Sequence, residues 1–468
     1  MTQTTPAAPA ARTDRVVVVG AGPAGLAAAR SAAAAGAAVL VIDAEPAPGG
    51  QYLRRDALAG ADDRDPATAL PPGVEHRPDT VVWAIEPVPG GHRLHLRTGP
   101  ADDPGRTGAT VDTRALVLAT GAHDRALPFP GWDLPGVYTA GAAQALAKAQ
   151  RLAVGERVLL AGTGPFLLPV ARSLLDAGAR ITAVLEAGEP VTGWLRHPGG
   201  VLAGSGKLGE LAGHLAALAR HRVPYRPRTT VVAAHGTDAV EAATTVRLDR
   251  DWNPVPGTER RVEADAVCVG FGFTPQTELA VAAGCAMAEG FVRVDAAQAT
   301  SVPGVFAAGE LTGIGGAALS AAEGEVAGAA AARLVGRDPR PPLAALRRVR
   351  RGRRFAAALA AAHPVRPGWS TWLAEDTLVC RCEEVRAGEL RAAARERGAS
   401  AARPLKLVTR AGLGPCQGRV CGRNVAELLG DPRLADGFAR RPIAAPVRLG
   451  ELAAGDTADG ADTPAGRR

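Results

Sequence analysis

Aromatic and sulfur-containing residues are scarce in this chain of 468 residues: aromatics make up 4% of it, and there are 2 methionines and 6 cysteines. Long apolar runs are also lacking. No segment offers the roughly 18 apolar residues, free of glycine and proline, that a membrane span needs. The first residues, MTQTTPAAPAARTD, lack the apolar core of a signal peptide. We therefore predict a cytoplasmic protein without a membrane span.

Size and charge limit the classes of protein that this sequence can belong to. The length predicts about two to four domains, enough to enclose a large ligand. The formal net charge is +7, but the arginines are scattered except for one dense run. We interpret that run as a solvated helix face and predict no nucleic-acid partner; the alternative is a basic docking surface for a partner subunit. The run consists of Arg347, Arg348, Arg350, Arg351, Arg353 and Arg354.

A glycine-rich turn near the N terminus joins a short strand to an alanine-rich helix. The strand is the β-branched run from Val16 to Val19, and the next apolar run, from Val39 to Ile42, ends at the acid Asp43. The order of strand, G-x-G-x-x-G turn, helix, strand and acid is typical of a dinucleotide-binding domain. The turn reads Gly20, Ala21, Gly22, Pro23, Ala24 and Gly25.

Each glycine of this motif has a physical role. Gly20 permits the turn, Gly22 lets the backbone approach a pyrophosphate, and Gly25 lets the helix pack closely on the strand. The N terminus of the helix attracts phosphates. Asp43 is placed to accept hydrogen bonds from ribose hydroxyls. A glycine-rich turn without a ligand is the alternative.

The same pattern occurs a second time. A strand from Arg157 to Ala161 leads into Gly162-Thr163-Gly164-Pro165, and a later strand ends at the acid Glu186. Leu167 stands where the third glycine belongs, which puts the fit to a pyrophosphate in doubt. Glu186 suits a ribose 2′-hydroxyl and disfavours a 2′-phosphate. A working NADH site and a degenerate site, which only forms a scaffold or binds another adenine nucleotide, both remain open.

A late segment has no complete fold around it. It runs from Val302 to Gly309-Glu310 and is followed by a Gly/Ala-rich helix from Ala317 to Leu334. We expect it to return to the first domain and to receive part of the dinucleotide. The fold class that follows is α/β, with a discontinuous first Rossmann-like domain, an inserted second one and a small C-terminal module.

Four of the six cysteines cluster late in the sequence, at Cys380, Cys382, Cys416 and Cys421. Four thiolates satisfy either a tetrahedral zinc ion or a [2Fe–2S] cluster, and the spacing alone does not decide between them. Neither nucleotide domain has a C-x-x-C pair beside it, so disulfide reductase chemistry is not expected. For the other two, Cys268 and Cys285, we predict a role as small buried hydrophobic residues.

Three segments resemble the two-dinucleotide-domain flavoproteins that include the pyridine nucleotide-disulfide reductases. They are the first glycine motif, Ala119-Thr120-Gly121, and the stretch from Thr300 to Glu310. The resemblance implies FAD, with the loop Pro48-Gly49-Gly50-Gln51 beside the flavin. It also implies that the carboxylate of Glu310, where that superfamily usually has aspartate, holds a ribityl hydroxyl. A flavin converts two-electron chemistry into single-electron steps, which favours a cluster over zinc in the cysteine module.

Nearly the whole chain resembles one family, the alpha-type subunits of bacterial opine oxidases, hydrogen cyanide synthase and dye-linked proline and hydroxyproline dehydrogenases. The supporting stretches are Pro128–Trp132, Leu134–Val137, Ala308–Gly316 and the pattern C-x-C…P-C-Q-G-R-x-C. The resemblance implies a bacterioferritin-associated-ferredoxin-like (BFD-like) [2Fe–2S] domain ligated by Cys380, Cys382, Cys416 and Cys421. It further implies that the partner is a glycine-oxidase or amine-oxidase-type FAD subunit, with a small ferredoxin-like subunit being a further candidate.

These inferences predict the electron-transferring subunit of a multisubunit dehydrogenase or oxidase that acts on the CH–NH bond of an amino acid or opine. His123 is the one candidate catalytic group near the flavin, and we interpret it as structural. The alternatives are a self-contained NADH-dependent flavin and iron–sulfur reductase and a non-catalytic FAD and zinc scaffold. The predicted divisions are 1–13 disordered, 14–150 with 290–336 for FAD, 151–289 for the second nucleotide domain, 337–374 as a linker with the basic helix, 375–430 for the cysteine module, and 431–468 as a tail largely disordered at its end.

Overall fold

The computed structural model describes residues 14–54, 56, 65–431, 433–441 and 443–458. The disorder predicted for residues 1–13 and for the end of the tail falls outside these ranges, at 1–13 and 459–468. The first part of the chain contains, in order, β1 (Val16–Val19), α1 (Pro23–Ala34), β2 (Val39–Ile42), β3 (Val74–Arg77), β4 (Thr80–Val88), β5 (Gly91–Thr98), β6 (Thr107–Thr113) and β7 (Ala115–Leu118).

The middle part carries the second nucleotide-type unit and its connections. It contains β8 (Ala122–Asp124), β9 (Val137–Thr139), α2 (Ala140–Gln150), β10 (Arg157–Gly162), α3 (Leu167–Asp176), β11 (Arg180–Glu186), α4 (Pro190–Leu195), α5 (Pro198–Ala203), α6 (Leu208–Arg220), β12 (Tyr225–Pro227), β13 (Thr229–His235), β14 (Ala242–Arg247), β15 (Arg260–Glu263), β16 (Ala266–Gly270), β17 (Phe273–Pro275), α7 (Glu278–Ala282), β18 (Met287–Ala288) and β19 (Phe291–Val292).

The last part returns to the first sheet and then forms the cysteine module. It contains β20 (Val305–Ala307), α8 (Ala317–Leu334), α9 (Leu343–Ala362), β21 (Leu378–Cys380), β22 (Val385–Arg386), α10 (Ala387–Glu396), α11 (Ala402–Thr409), α12 (Cys421–Leu428), α13 (Arg433–Ala439), α14 (Leu449–Ala453) and β23 (Thr457–Ala458). Short 3-10 turns lie at Pro66–Thr68, Ser205–Lys207, Gly309–Leu311 and Pro367–Trp372.

The first sheet is parallel and has the strand order β20-β7-β1-β2-β3. β1 lies at its centre and is buried on both faces, which explains its uninterrupted run of valines. β20 comes from a distant part of the chain and pairs with β7 through Val305 and Leu116. This pairing confirms the discontinuous first domain, because the sheet is incomplete without the returning segment.

Two helices cover one face of this sheet and cross each other closely. A Cβ atom added at Gly324 of α8 would lie 2.0 Å from the backbone oxygen of Ala24, and one at Gly328 would lie 2.2 Å from that of Ala28. Larger side chains at these positions would force α1 and α8 apart. The Gly/Ala-rich composition of α8 therefore reflects a close helix–helix contact beside the first glycine loop.

The second sheet has the order β12-β11-β10-β16-β9 and is also parallel. Its edge strand β9 pairs with β16 through Tyr138 and Cys268. The structure differs here from the predicted domain boundary at residue 150, because β9 and α2 already belong with the second sheet. Only three half-buried residues form β9, so no periodic pattern marks it in the sequence.

An antiparallel sheet of β4, β5 and β6 lies beside the first domain, and Gly90 lies in the tight turn between β4 and β5. The predicted tail also contributes to it: β23 pairs with β6, and Arg97, which is buried, forms an ion pair with Asp456. Residues 451–456 are therefore folded onto this sheet, because Glu451 and Asp456 supply partners for the buried guanidinium.

The predicted linker at 337–374 contains the basic helix α9, and its second half is packed rather than loose. Trp369 and Trp372 are buried, and the Trp372 ring stacks on Trp252 of the second domain with 6.1 Å between ring centroids. The Trp372 indole N–H also donates to the Trp252 carbonyl at 2.9 Å. The cysteine module is consequently joined to the second domain through a shared aromatic core.

Among the described residues, no helix is both long and apolar enough to cross a membrane.

Candidate functional site

The first glycine loop is built by close backbone contacts. Gly20 has φ +102°, and a Cβ atom there would lie 2.3 Å from the carbonyl oxygen of Ala119. A Cβ atom at Gly25 would lie 1.7 Å from the carbonyl oxygen of Gly20. Both positions therefore require glycine for the chain to turn between β1 and α1.

The N terminus of α1 faces a second loop. Pro23 occupies the first turn of α1, where the missing backbone N–H costs nothing. Gly50 has φ +59°, and a Cβ atom there would lie 2.9 Å from the Cα of Gly22. The structure thus brings the predicted Gly50 loop against the phosphate-binding turn, with the side chain of Gln51 exposed beside it.

Asp43 lies at the end of β2, as expected of the ribose-binding acid. Its carboxylate accepts hydrogen bonds from the backbone N–H groups of Ala21 and, at 2.7 Å, Glu45. Burial raises the pKa of the Asp43 carboxyl, and the two backbone donors oppose that shift. The Asp43 carboxylate therefore holds the backbone of the glycine loop in place through its hydrogen bond with Ala21.

The returning segment meets the same loop from the other side. Gly309 has φ +82°, and a Cβ atom there would lie 2.9 Å from the Cβ of Ala24. The Glu310 carboxylate accepts hydrogen bonds from the backbone N–H groups of Gly316 at 2.7 Å and Gly315 at 3.3 Å. Burial raises the pKa of Glu310, although these donors oppose the shift. Glu310 therefore sits at the N terminus of α8, near the first glycine loop.

Glu323 is a site residue that the sequence reasoning missed. Its side chain is buried in α8 and accepts hydrogen bonds from the backbone N–H of Gly309 at 3.0 Å and the hydroxyl of Thr312 at 2.8 Å. Arg353 of α9 donates to its other oxygen at 3.0 Å. The signal available in the sequence was an acid within a Gly/Ala-rich helix. Such a helix is expected to be buried, and a buried acid needs hydrogen-bond partners.

The segment Thr120-Gly121 follows β7 and enters the connection between the two sheets. The Thr120 hydroxyl donates to the carbonyl of Gln276 at 2.7 Å, and the Gln276 backbone N–H donates to the carbonyl of Gly121 at 2.9 Å. No heavy atom of the described residues lies within 4 Å of a Cβ built at Gly121, which leaves open space on that side.

The second glycine loop shares the tight turn of the first, and its acid is likewise buried. A Cβ atom at Gly162 would lie 1.8 Å from the carbonyl oxygen of Gly270. Glu186 is fully buried and accepts hydrogen bonds from the Thr163 hydroxyl at 2.6 Å and the Gly164 backbone N–H at 2.9 Å. The carboxylate predicted to bind a ribose is thus engaged by its own loop.

Helices α4 and α9 cover this second acid. His363, at the C-terminal end of α9, places Nδ1 3.8 Å from a Glu186 oxygen. The indole N–H of Trp194 in α4 donates to His363 Nε2 at 3.2 Å. Both helices lie outside the sequence motif, so the motif could not show that the acid is covered.

The four clustered cysteines are brought together in the C-terminal module. β21 ends at Cys380, and α12 begins at Cys421. With Arg381 and Val420, the four thiols border a cavity of about 230 Å³. In the part of the chain that the structure describes, no three His, Cys, Asp or Glu side chains are already arranged to hold a single metal ion. The donor set and the shared cavity fit a four-thiolate centre.

The thiols in this cavity interact with one another. A hydrogen bond from Cys421 lowers the pKa of Cys380 to about 6, and the same thiol lowers the pKa of Cys416. Donating these bonds raises the pKa of Cys421, and burial raises that of Cys382. A lowered pKa favours the thiolate, which is the form that binds metal. Cys382 is exposed, whereas Cys380 and Cys421 are buried, so the cavity has one open edge. By contrast, Cys268 and Cys285 are buried elsewhere, and burial raises the pKa of each.

The helix that carries Cys421 is fixed to the segment after Thr120-Gly121. Arg125 is buried and forms an ion pair with Glu427 of α12, and the Asn424 side-chain amide donates to the Ala126 carbonyl at 2.9 Å. His123 places Nε2 3.3 Å from the carbonyl oxygen of Arg419, in the loop between the last two cysteines. The cysteine module therefore lies directly on the chain segment that follows β7 of the first sheet.

Comparison with known proteins agrees with this geometry. The family model described as pyridine nucleotide-disulphide oxidoreductase matches residues 14–333, and the model described as BFD-like [2Fe-2S] binding domain matches residues 378–431. The solved structure of L-proline dehydrogenase from P. horikoshii superposes with a TM-score of 0.64 at 18% identity, covering 94% of this chain and 79% of that one. This likeness confirms the predicted fold.

Two curated relatives cover almost the whole chain. An opine oxidase subunit from Agrobacterium tumefaciens (strain Ach5) is 34% identical over 94% of this chain and 91% of its own length. Hydrogen cyanide synthase subunit HcnB of Pseudomonas aeruginosa is 32% identical over 87% of this chain and 90% of its own length. The chain therefore belongs to the pyridine nucleotide-disulphide oxidoreductase family, and it is an FAD-dependent oxidoreductase with a C-terminal BFD-like [2Fe–2S] domain, homologous to that opine oxidase subunit.

Proposed function

We propose that this chain is the electron-transferring subunit of a multisubunit dehydrogenase or oxidase that acts on the CH–NH bond of an amino acid or opine. A separate amine-oxidase-type FAD subunit oxidises the substrate, and this chain passes the electrons onward. The names of its relatives support this role, since the opine oxidase and hydrogen cyanide synthase chains are each named as one subunit of a larger enzyme. A small ferredoxin-like subunit is a further candidate partner.

We assign FAD to the loops that meet around α1 and the start of α8. The N terminus of α1 provides backbone N–H groups for the pyrophosphate, Asp43 accepts from the adenosine ribose, and Glu310 accepts from a ribityl hydroxyl. The flavin exchanges electrons in pairs or singly, and a [2Fe–2S] cluster carries one at a time. The proposed FAD-binding residues are Gly20, Gly22, Pro23, Ala24, Gly25, Asp43, Gly50, Gln51, Thr120, Gly121, Gly309 and Glu310.

The observation that carries the proposal is the attachment of the cluster helix to the segment behind the flavin loop. Thr120-Gly121 leads within a few residues to His123 and Arg125, which hold the Arg419 carbonyl and Glu427. The proposed cluster ligands Cys416 and Cys421 flank Arg419. A short, packed connection between two redox centres is what an electron-relay subunit requires. In this proposal the His123 ring positions the Arg419 loop and takes no part in the chemistry.

The geometry of the second nucleotide loop bears on the main alternative, a self-contained NADH-dependent reductase. Glu186 is bonded to Thr163 and Gly164 and lies beneath His363, which favours the degenerate site over a working NADH site. Anaerobic stopped-flow spectroscopy of the purified chain with NADH tests this. We expect no rapid loss of flavin absorbance, and rapid bleaching by the chain alone would contradict the partner-dependent proposal.

Metal analysis tests the third possibility, an FAD and zinc scaffold. The purified chain should contain about two iron atoms and show the EPR signal of a reduced [2Fe–2S] cluster after dithionite treatment. Cys380→Ser should remove that signal and leave bound FAD unchanged, whereas the matched control Cys268→Ser should keep both. One zinc and no iron per chain would exclude electron relay through the module.

A further inference from the structure

Three successive helices, α4, α5 and α6, expose several large apolar side chains. Leu195 and Leu202 are each 74% exposed, and Val191 is 70% exposed. Val191 and Leu195 lie four residues apart and therefore share one face of α4. Single exposed apolar residues are ordinary, but several on adjacent helices mark an interaction surface.

The first half of α6 extends this apolar surface away from the body of the protein. Leu208, Leu211 and Leu215 are all exposed and recur at the spacing of one helix face. Burial on α6 begins only near its C-terminal end, at Ala217 and Leu218. The three leucines of α6 are therefore only partly covered by the described residues. We call the exposed apolar side chains of these three helices the apolar face: Val191, Leu195, Leu202, Leu208, Leu211 and Leu215.

A stripe of arginines borders the apolar face. α9 packs against α5, where a Cβ at Gly200 would lie 2.0 Å from the Ala358 side chain, and Arg351 donates to the Ala203 carbonyl at 2.8 Å. The outer side of α9 carries Arg347, Arg350 and Arg354, at helical spacing and exposed. The structure gives these three no ion pair with any described residue, unlike Arg348 and Arg353 of the same helix.

The apolar face also lies beside the predicted flavin site. Lys207, between α5 and α6, places Nζ 3.4 Å from the Cβ position of Gly316 and 4.7 Å from the centre of the Phe355 ring. Gly316 caps α8 and donates to Glu310. A protein seated on this face would consequently stand next to the returning segment that we assign to FAD.

We propose that the apolar face and its arginine stripe dock the separate substrate-oxidising subunit, through an apolar patch bordered by carboxylates. This inference rests on the proposed function. Three arginines without an ion pair among the described residues call for an acidic partner, and the net charge of +7 opposes a second copy of this chain. An apolar centre that has few charged residues, surrounded by a polar rim, is the usual composition of such interfaces.

Co-expression with the amine-oxidase-type FAD chain from the same gene cluster tests the proposal. Complex formation is measured by size-exclusion chromatography with light scattering and by titration of the purified chains. Leu202→Glu and Leu211→Glu should each weaken the complex at least tenfold, and Arg350→Glu should slow association and reduce its dependence on salt. Flavin absorbance and iron content of each variant must match the parent chain, which excludes misfolding as the cause.

The cysteine module supplies the matched control. Leu407 of α11 is 72% exposed, so Leu407→Glu places the same charge at an equally exposed leucine far along the chain. Loss of the complex in Leu407→Glu but not in Leu202→Glu would overturn this inference and leave the proposed function standing. A chain that self-associates through the apolar face would also overturn it. If the unmodified chain binds no amine-oxidase-type subunit, both this inference and the proposed function fail.

Discussion

The two glycine loops of this protein have similar backbone contacts but different surroundings. In each, a glycine after the first strand touches a backbone carbonyl, Gly20 that of Ala119 and Gly162 that of Gly270. In each, an acid after the second strand accepts a hydrogen bond from its own glycine loop. The backbone of a dinucleotide-binding turn is therefore retained in both domains.

The surroundings of the two acids separate the loops. At the first loop, Gly50 lies against Gly22 and the returning Gly309 lies against Ala24, so small residues make these contacts. Around Glu186, by contrast, the side chains of Trp194 and His363 close the site. The comparison teaches that the glycine motif and its acid specify the turn. Ligand binding depends in addition on which later segments of the chain pack against that turn.

The largest expected effect comes from filling the helix–strand contact of the first loop. In Gly25→Val the Cβ would overlap the Gly20 carbonyl oxygen, so we expect an insoluble chain or one without flavin. The matched change in the second loop is Leu167→Val, which removes one methylene from a buried position and should cost about 1 kcal/mol. Absorbance at flavin wavelengths and thermal unfolding measure both. Equal losses of bound flavin and of thermal stability in the two variants would contradict the proposed difference between the two loops.

A smaller change separates folding from FAD binding in the first loop. A Cβ at Gly22 meets its nearest neighbour, the Cα of Gly50, at 4.0 Å, so Gly22→Ala should fold. The added methyl group points where the pyrophosphate must approach, and we expect FAD affinity to fall about 100-fold, or about 2.7 kcal/mol. Fluorescence titration of the deflavinated protein measures this. Unchanged affinity would remove Gly22 from the proposed site.

The acids themselves give the next comparison. Burial raises the folded-state pKa of Asp43, so its ionised form costs stability at neutral pH, and this cost is relieved as the pH falls through the raised pKa. Asp43→Asn removes this cost, but its amide offers one acceptor oxygen to the two backbone donors, Ala21 and Glu45, so we expect the deflavinated protein to be about 1 kcal/mol less stable at pH 7. It should weaken FAD binding about tenfold, because an amide is a poorer partner for two ribose hydroxyls. Glu186→Gln should leave FAD affinity unchanged, and a loss there would contradict the assignment.

The smallest expected effect concerns the cover of the second loop. Trp194→Ala removes the hydrogen bond to His363 and the ring contact with Phe355, which lies 5.6 Å away between centroids. We expect a loss of about 1 kcal/mol in stability and no change in bound FAD. Isothermal titration measures NADH binding to the parent chain. We expect no tight binding, because Glu186 is bonded to its own loop. Tight NADH binding by the parent chain would show that the second site is open in solution.

The sequence predicted those parts of the fold that local patterns determine. The valine run of β1, the acid after β2 and the helix at Ala317–Leu334 all lie where their patterns place them. The return of the segment before Gly309 to the first domain was also predictable, because that segment has no complete fold around it in the sequence.

Contacts between distant side chains could not be predicted in the same way. Arg125 and Glu427 are 302 positions apart, and the short helices α4 and α5 have no long periodic pattern. The role of Glu323 and the covering of Glu186 depend on α9, which the sequence marks only as a basic helix. The docking of residues 451–456 likewise depends on a buried Arg97 that pairs with Asp456. Such pairings are set by three-dimensional packing rather than by spacing.

The central claim is that electrons enter this chain from a partner and pass through its flavin and cluster. Freeze-quench EPR tests it most directly: the chain is mixed anaerobically with L-proline and a panel of opines, alone and in complex with the amine-oxidase-type subunit. We predict that at least one substrate produces the reduced [2Fe–2S] signal in the complex within one turnover, and that none does so with the chain alone. A cluster reduced by substrate without the partner, or never reduced in the complex, would contradict the account.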